Sequence, residues 1–166
     1  MRSFVDLGRR GVLVLGAATV LAACTSTAKS TQGNNIRTDS GPLERRFAVL
    51  GPLSNAHWVG VALGTDSRAS VPGPTDVRVV GFAQLRAGGG AALTGAPQRE
   101  FLPATPSGLP EELVQFMPKG ARWVRSESFD RVVTGGTYSG AFYVDPGTNW
   151  VCFDTTNPSA VSSSGP

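Results

Sequence analysis

The chain is poor in the residues that carry most metal and nucleophile chemistry. Among 166 residues the one histidine is His57, and the two cysteines are Cys24 and Cys152. That excludes a centre built on several histidines or on paired cysteines, and Asp66 and Asp76 join His57 only if folding brings them together. It equally excludes a disulfide framework. There is no Gly-x-Ser-x-Gly elbow, and no Lys-Ser/Thr follows Gly88-Gly89-Gly90 to make a phosphate loop. Charged residues make up only 16% of the chain, and lysine occurs only at Lys29 and Lys119. Long apolar runs are also missing. Val12–Ala23 is twelve uncharged residues, rising about 18 Å as a helix against a hydrocarbon core of about 30 Å.

What is present at the front is therefore an export pattern rather than a span. Arg2, Arg9 and Arg10 precede the apolar stretch, with Asp6 as the one opposing charge, and small residues close it at Ala22 and Ala23 before Cys24. A basic start, a short apolar segment and small residues before a cut are the parts of a secretory signal. Leu21-Ala22-Ala23-Cys24 resembles the lipobox of bacterial lipoproteins at all four positions. The resemblance implies that the Cys24 thiol takes a diacylglyceryl group, that the chain is cut between Ala23 and Cys24, and that the protein sits on the outer face of the cytoplasmic membrane. Gly8-Arg9-Arg10-Gly11-Val12-Leu13 is also similar to a twin-arginine export signal, although Val12 stands where that family prefers Phe. Both export routes stay open. The preference for arginine over lysine points to a high-GC Gram-positive source.

Cleavage before Cys24 changes the charge reading. Lys plus Arg falls from 15 to 12 and Asp plus Glu from 12 to 11, so a net +3 becomes +1. The basic balance belongs partly to the signal, and no nucleic-acid partner follows from it. With Cys24 acylated, Cys152 has no partner within the chain, so the domain must be held by its apolar core.

Residues 24 to 41 are Ser, Thr, Gly, Asn and Lys with Ile36 as the one large apolar side chain, which predicts a flexible tether. Residues 42 to 157 are expected to form one globular domain, and residues 158 to 166 a polar disordered tail. Within the domain, Glu44–Leu50 and His57–Leu63 read as strands and Thr65–Thr75 as a loop. Asp76–Arg86 is the clearest strand: Val77, Val79, Gly81, Ala83 and Leu85 make an apolar face, while Val80 and Phe82 share the other with Arg78, Gln84 and Arg86. Ala87–Ser107, with its Gly and Pro clusters, reads as a long functional or mobile loop around a short strand at Glu100–Leu102. Pro110 opens a two-turn helix over Glu111–Met117, and Ala121–Arg125 is a further strand. Ser126 caps a short helix ended by Gly135-Gly136. Ser139–Val144 and Trp150–Asp154 form a central hairpin around Asp145-Pro146-Gly147-Thr148-Asn149. In it Val144 is paired with Trp150, so that Phe142 faces Cys152.

The expected fold class is α+β, a small mostly antiparallel sheet of five to seven strands with one or two short helices; a β-sandwich or small β-barrel is the alternative. His57 reads as a structural or surface residue beside Trp58, and Cys152, between Val151 and Phe153, as a buried inert thiol. Glu111 with Glu112, and Glu127 with Asp130, are explained by the positive end of a helix before any carboxylate-pair chemistry. Trp58, Trp123, Trp150, Tyr138 and Tyr143 are mostly core, with one exposed for binding. Arg45-Arg46 reads as a solvated pair. No cofactor, metal or catalytic set is expected. The functional expectation is a non-enzymatic lipoprotein that binds an envelope protein or the cell wall. The alternative is a small-ligand carrier or sensor with a pocket between the sheet and the Leu113–Met117 helix.

Overall fold

A computed structural model describes residues 35–63 and 76–159. The lipobox with Ala23 and Cys24, most of the tether, the Thr65–Thr75 loop and the end of the tail lie outside the described residues. The fold is α+β, with one antiparallel sheet of six strands in the order β1-β2-β6-β5-β4-β3. The strands are β1 (Leu53–Ala62), β2 (Val77–Leu85), β3 (Leu102–Pro103), β4 (Val124–Arg125), β5 (Gly140–Asp145) and β6 (Trp150–Thr156). Among the described residues a few short helices accompany them: α1 (Gly41–Arg46), α2 (Gly89–Thr94), α3 (Glu111–Val114) and α4 (Glu127–Thr134).

Both faces of the sheet are covered. On the first, Val79, Ala83 and Leu85 of β2 pack with Phe142, Val144, Val151 and Phe153 of the central hairpin. Leu43 and Phe47 from α1 and Phe129 and Val133 from α4 close over them. Phe47 meets Phe142 edge-on at 5.2 Å and Phe153 at 5.3 Å. On the second face Val59, Val80, Phe82 and Cys152 pack under Leu113 of α3 and Trp123. The face of β2 expected to be mixed is thus a second core; Arg86 falls just past the end of the strand, and Arg78 is neutralised in place. Arg78 makes a bidentate pair with Asp154 (2.8 and 2.7 Å) and also donates to the Gly108 carbonyl, which ties the loop before α3 to the sheet.

Several local expectations are corrected. Glu44–Leu50 is helical instead of extended, as α1 followed by a 3-10 turn at Ala48–Leu50. Leu43, Phe47 and Leu50 recur at helical spacing and all are buried; Pro42 sits in the first turn, where its missing N–H costs nothing. The folded part begins before Pro42: Ile36 packs against the second core, and Arg37 exchanges backbone hydrogen bonds with Trp58 (2.8 and 3.0 Å). The Arg37 guanidinium lies 4.2 Å over the Trp58 ring, and the indole N–H donates to the Asp39 carbonyl. The polar composition of the tether hid this strap, because only Ile36 is apolar. Ala87–Ser107 is largely ordered, holding α2, a 3-10 turn at Pro97–Arg99 and β3.

The hairpin register is one residue off the expected one. Asp145 pairs with Trp150 and Val144 with Val151, so Phe142 faces Phe153 and Tyr143 faces Cys152. Asp145 decides this. Its carboxylate accepts from Gly147 N and Thr148 Oγ1, closing a turn of four residues within which Asn149 takes a left-handed φ of 60°. The α4 expectation holds at both ends: Ser126 Oγ accepts from Phe129 N at 3.2 Å, and Gly135 ends the helix at φ 59°; Val132, expected on the apolar face with Phe129 and Val133, is instead half exposed.

One glycine is required by the core. In the row Trp58–Gly81–Phe153–Phe142, Gly81 lies between two large aromatics, and a Cβ there would fall 2.5 Å from Trp58 Cβ and against the His57 carbonyl oxygen. Next to it, β1 carries a bulge between Ser54 and His57, with Asn55 at φ 46° donating from Nδ2 to Gln84 Oε1.

Candidate functional site

The residues singled out by sequence are spread out by the fold. His57, Phe82, Cys152, Tyr143, Arg125 and Leu102 form one row across all six strands. His57 and Cys152 therefore share a face but stand two strand spacings apart, about 10 Å, with the Phe82 side chain between them. The Cys152 thiol is fully buried, and burial pushes its pKa strongly upward, which disfavours the thiolate. His57 stacks on Phe116 at 4.1 Å, and its Nδ1 lies 3.1 Å from the Asn55 carbonyl. Asp76 instead accepts from Asn157 Nδ2 at 2.6 Å, and Asp66 lies outside the described residues. No group of three His, Cys, Asp or Glu side chains among the described residues is placed to hold a metal ion.

Gly88-Gly89-Gly90 opens α2, contrary to the plain loop expected of it. The Gly90 N–H is taken by Asn149 Oδ1 (3.0 Å), and a Cβ at Gly90 would meet the Asp145–Pro146 backbone at 2.9 Å, so these glycines serve close packing on the hairpin turn. Glu111 and Glu112 lie in the first turn of α3. Arg46 donates to the Pro42 and Pro158 carbonyls, so it is not a free partner of Arg45. Trp58 and Trp123 are buried; Trp150, Tyr138 and Tyr143 are half-buried, and none is fully exposed. Under the Leu113–Met117 segment, where a pocket is expected, Leu113 and Phe116 pack on the sheet, and a cavity opens only at the Met117 end.

Asp130 is structural as well. β4 pairs Val124 with Val144 and Arg125 with Tyr143, so Ser126 would be next to face Phe142. The chain turns into α4 at that point instead. Asp130 supplies the missing acceptor, with Oδ1 taking the Phe142 N–H (2.8 Å) and Oδ2 taking Arg125 Nε (2.8 Å). Burial raises the Asp130 carboxyl, and these two donors pull against that rise.

Among the described residues, the β3 edge of the sheet carries the most exposed large apolar side chain. β3 is two residues long, and Leu102 is 68% exposed. Because Ala104 N donates inward to the Trp123 carbonyl, Pro103 directs its backbone outward, where a proline offers no N–H to an added strand. A cavity lies on either side. One, of about 360 Å³, is lined by Arg99, Glu100, Leu102, Arg125, Glu127 and Arg131 with Ser126 and Ser128 at the start of α4. Both serine hydroxyls donate to the Arg99 carbonyl, which fixes the Arg99 segment on the helix start. The other, of about 780 Å³, is mainly apolar, with Pro103, Met117, Pro118, Trp123 and Val124 in its walls. Ala104 borders both.

Sequence reading had flagged the Ala87–Ser107 segment but not the arginines. Their density between residues 99 and 131 was the available signal, and their convergence on one edge depends on β4 and α4 being adjacent in space. No protein-family model matches the chain, and no curated protein or solved structure is similar to it.

Proposed function

We propose that this protein is a lipid-anchored, extracytoplasmic binding module, acylated at Cys24 after cleavage behind Ala23. It acts without catalysis as an accessory to an envelope protein at the outer face of the cytoplasmic membrane. The observation that carries the binding reading is the β3 edge, where an apolar cavity and an arginine-lined cavity flank one exposed strand. The anchoring half rests on the Leu21–Cys24 resemblance. At the opposite edge the strap at Arg37 pairs with the outer side of β1, so the chain coming from Cys24 joins the sheet six strand spacings, about 29 Å, from β3.

Cell fractionation tests the anchor. Cys24→Ala should release the protein from membranes or leave an uncleaved precursor, and unchanged mature, membrane-bound protein would refute it. Crosslinking of the intact lipoprotein in its own membranes tests the binding half. A stoichiometric envelope partner crosslinked through residues 99–131 is expected; its absence, or crosslinks confined to the β1 side, counts against the reading. A small-ligand carrier is the second reading, favoured by the size of the 360 Å³ cavity, at the low end of ligand pockets. Saturable binding of a small anion in that cavity, without any protein partner, would put it first.

A further inference from the structure

We infer that the β3 edge recognises an extended segment of a protein partner that carries an apolar side chain next to a carboxylate. The inference rests on the docking reading above and names the chemistry of what docks. The argument begins with charge. The described residues hold ten basic and ten acidic side chains, and four of the basic ones line this edge: Arg99, Arg122, Arg125 and Arg131. Three acids accompany them, Glu100, Glu127 and Asp130. The edge is therefore net positive by one charge and the remainder net negative by one, a bias that favours acidic partners at β3.

The arginines differ in how they are engaged. Arg125 is held by Asp130. Arg99 donates once, to the Leu93 carbonyl, and lies over the Phe129 ring, while Arg131 is exposed and makes no ion pair among the described residues. A guanidinium carries five N–H donors in a planar fork. Arg99 and Arg131 thus retain donors for a carboxylate within a cavity that also receives the start of α4. Glu100 and Glu127 on the same walls keep its net charge low, which suits one carboxylate better than a doubly charged phosphate.

The apolar half supplies a second criterion. Trp123 is 8% exposed and stacks toward Phe82, so it forms a rigid floor, and Met117 adds an adaptable wall. With Ala104 shared by the two cavities, neighbouring residues of one extended segment reach both. Pro103 removes a ladder donor from the open edge, so side chains rather than added strand pairing carry the recognition.

The test uses the full mature chain, residues 24–166, unlipidated with Cys24→Ser. The probes are three acetylated, amidated peptides: Gly-Asp-Leu-Pro-Asp-Leu-Gly, the same with Lys for Asp, and the same with Gly for Leu. Backbone amide and Trp indole NMR shifts report where and how tightly each binds. The acidic apolar peptide is expected to bind at least tenfold more tightly than either control, with shifts at residues 99–105 and 117–131. Arg99→Ser with Arg131→Ser should weaken it at least fivefold. Leu102→Asp, at a site exposed enough to leave folding intact, should do the same by placing a carboxylate on the cavity wall. Equal affinity for the lysine peptide, or shifts elsewhere, overturns the inference.

Three rival occupants would each overturn it too: inorganic phosphate filling the arginine cavity while the peptide does not bind, phosphatidylglycerol vesicles bound through the same arginines in place of the peptide, or self-association abolished by Leu102→Asp. The docking reading fails separately. If the intact lipoprotein still crosslinks to its envelope partner when Arg99 and Arg131 are serine, that reading stands and this one falls.

Discussion

Replacing Gly81 by alanine tests the packing logic of the sheet at its most crowded point. The added Cβ would stand 2.5 Å from Trp58 Cβ and 2.6 Å from Trp58 Cα, and it would press on the His57 carbonyl. Real Cβ atoms need about another ångström, and these neighbours are mostly backbone of the paired strand β1, so no rotamer change relieves the clash. The two strands must separate, or β1 must shift along its bulge. Overpacking of this kind costs about 1–3 kcal/mol, and the backbone contacts place Gly81→Ala at about 3 kcal/mol. For a domain of this size that is a fall in Tm of about 10–15 °C, a large share of a total stability of about 5–15 kcal/mol. Gly60→Ala is the matched control on the same strand pair, because its Cβ would lie 3.6 Å from Val77 Cγ1, an ordinary contact. Urea and thermal unfolding followed by tryptophan fluorescence would measure both. If Gly81→Ala loses no more than Gly60→Ala, the tight approach of β1 to β2 described above is wrong.

Other outcomes follow from the polar groups. Burial works upward on the Asp145 carboxyl, but hydrogen bonds from Thr148 and Gly147 outweigh it and hold the pKa below the usual range. A depressed carboxylate stabilises the fold fully above its unfolded pKa near ~3.9 and loses that contribution as pH falls through the folded value. Asp145→Asn should therefore flatten the loss of stability below about pH 4, read from urea midpoints across pH; an unchanged slope would count against this role. Asp130→Ala leaves the buried Phe142 N–H and Arg125 without their acceptor, and should cost about 2–3 kcal/mol, measured by urea unfolding, with Phe142 amide exchange accelerated. Cys152 should react with a thiol reagent only as fast as the protein opens, and rapid labelling of the native state would refute its burial.

How much of this was legible in the sequence depends on the range of the interaction. The cap at Ser126 and the stop at Gly135 are local signals and were read correctly, as was the alternation along β2. The hairpin register was missed because Asp145 is a good turn former in isolation, whereas here it is the last paired residue and its side chain closes the turn that follows. Glu44–Leu50 contains enough Phe, Val and Leu to pass for a strand, and only the spacing of Leu43, Phe47 and Leu50 marks a helix. The strap at Ile36 and Arg37 is invisible locally, since its partner Trp58 is about twenty residues away. The β3 edge is harder still: Arg99 and Arg131 line one cavity because β4 passes into α4 through Ser126 alone, a fact of three dimensions with no periodic trace.

The Arg37–Trp58 bridge has a mechanical meaning. Any pull on the chain N-terminal to Asn35 reaches the fold first at Ile36, packed on the second core, and at the Arg37 bridge on the outer edge of β1. Two backbone hydrogen bonds, an indole N–H and a cation over a ring resist it, and they sit at one spot. Because these contacts sit together, load should break them in one step and let out the few residues up to α1 before the eight pairs between β1 and β2 open. The strap then acts as a fuse, lengthening the leash before the sheet itself bears any tension.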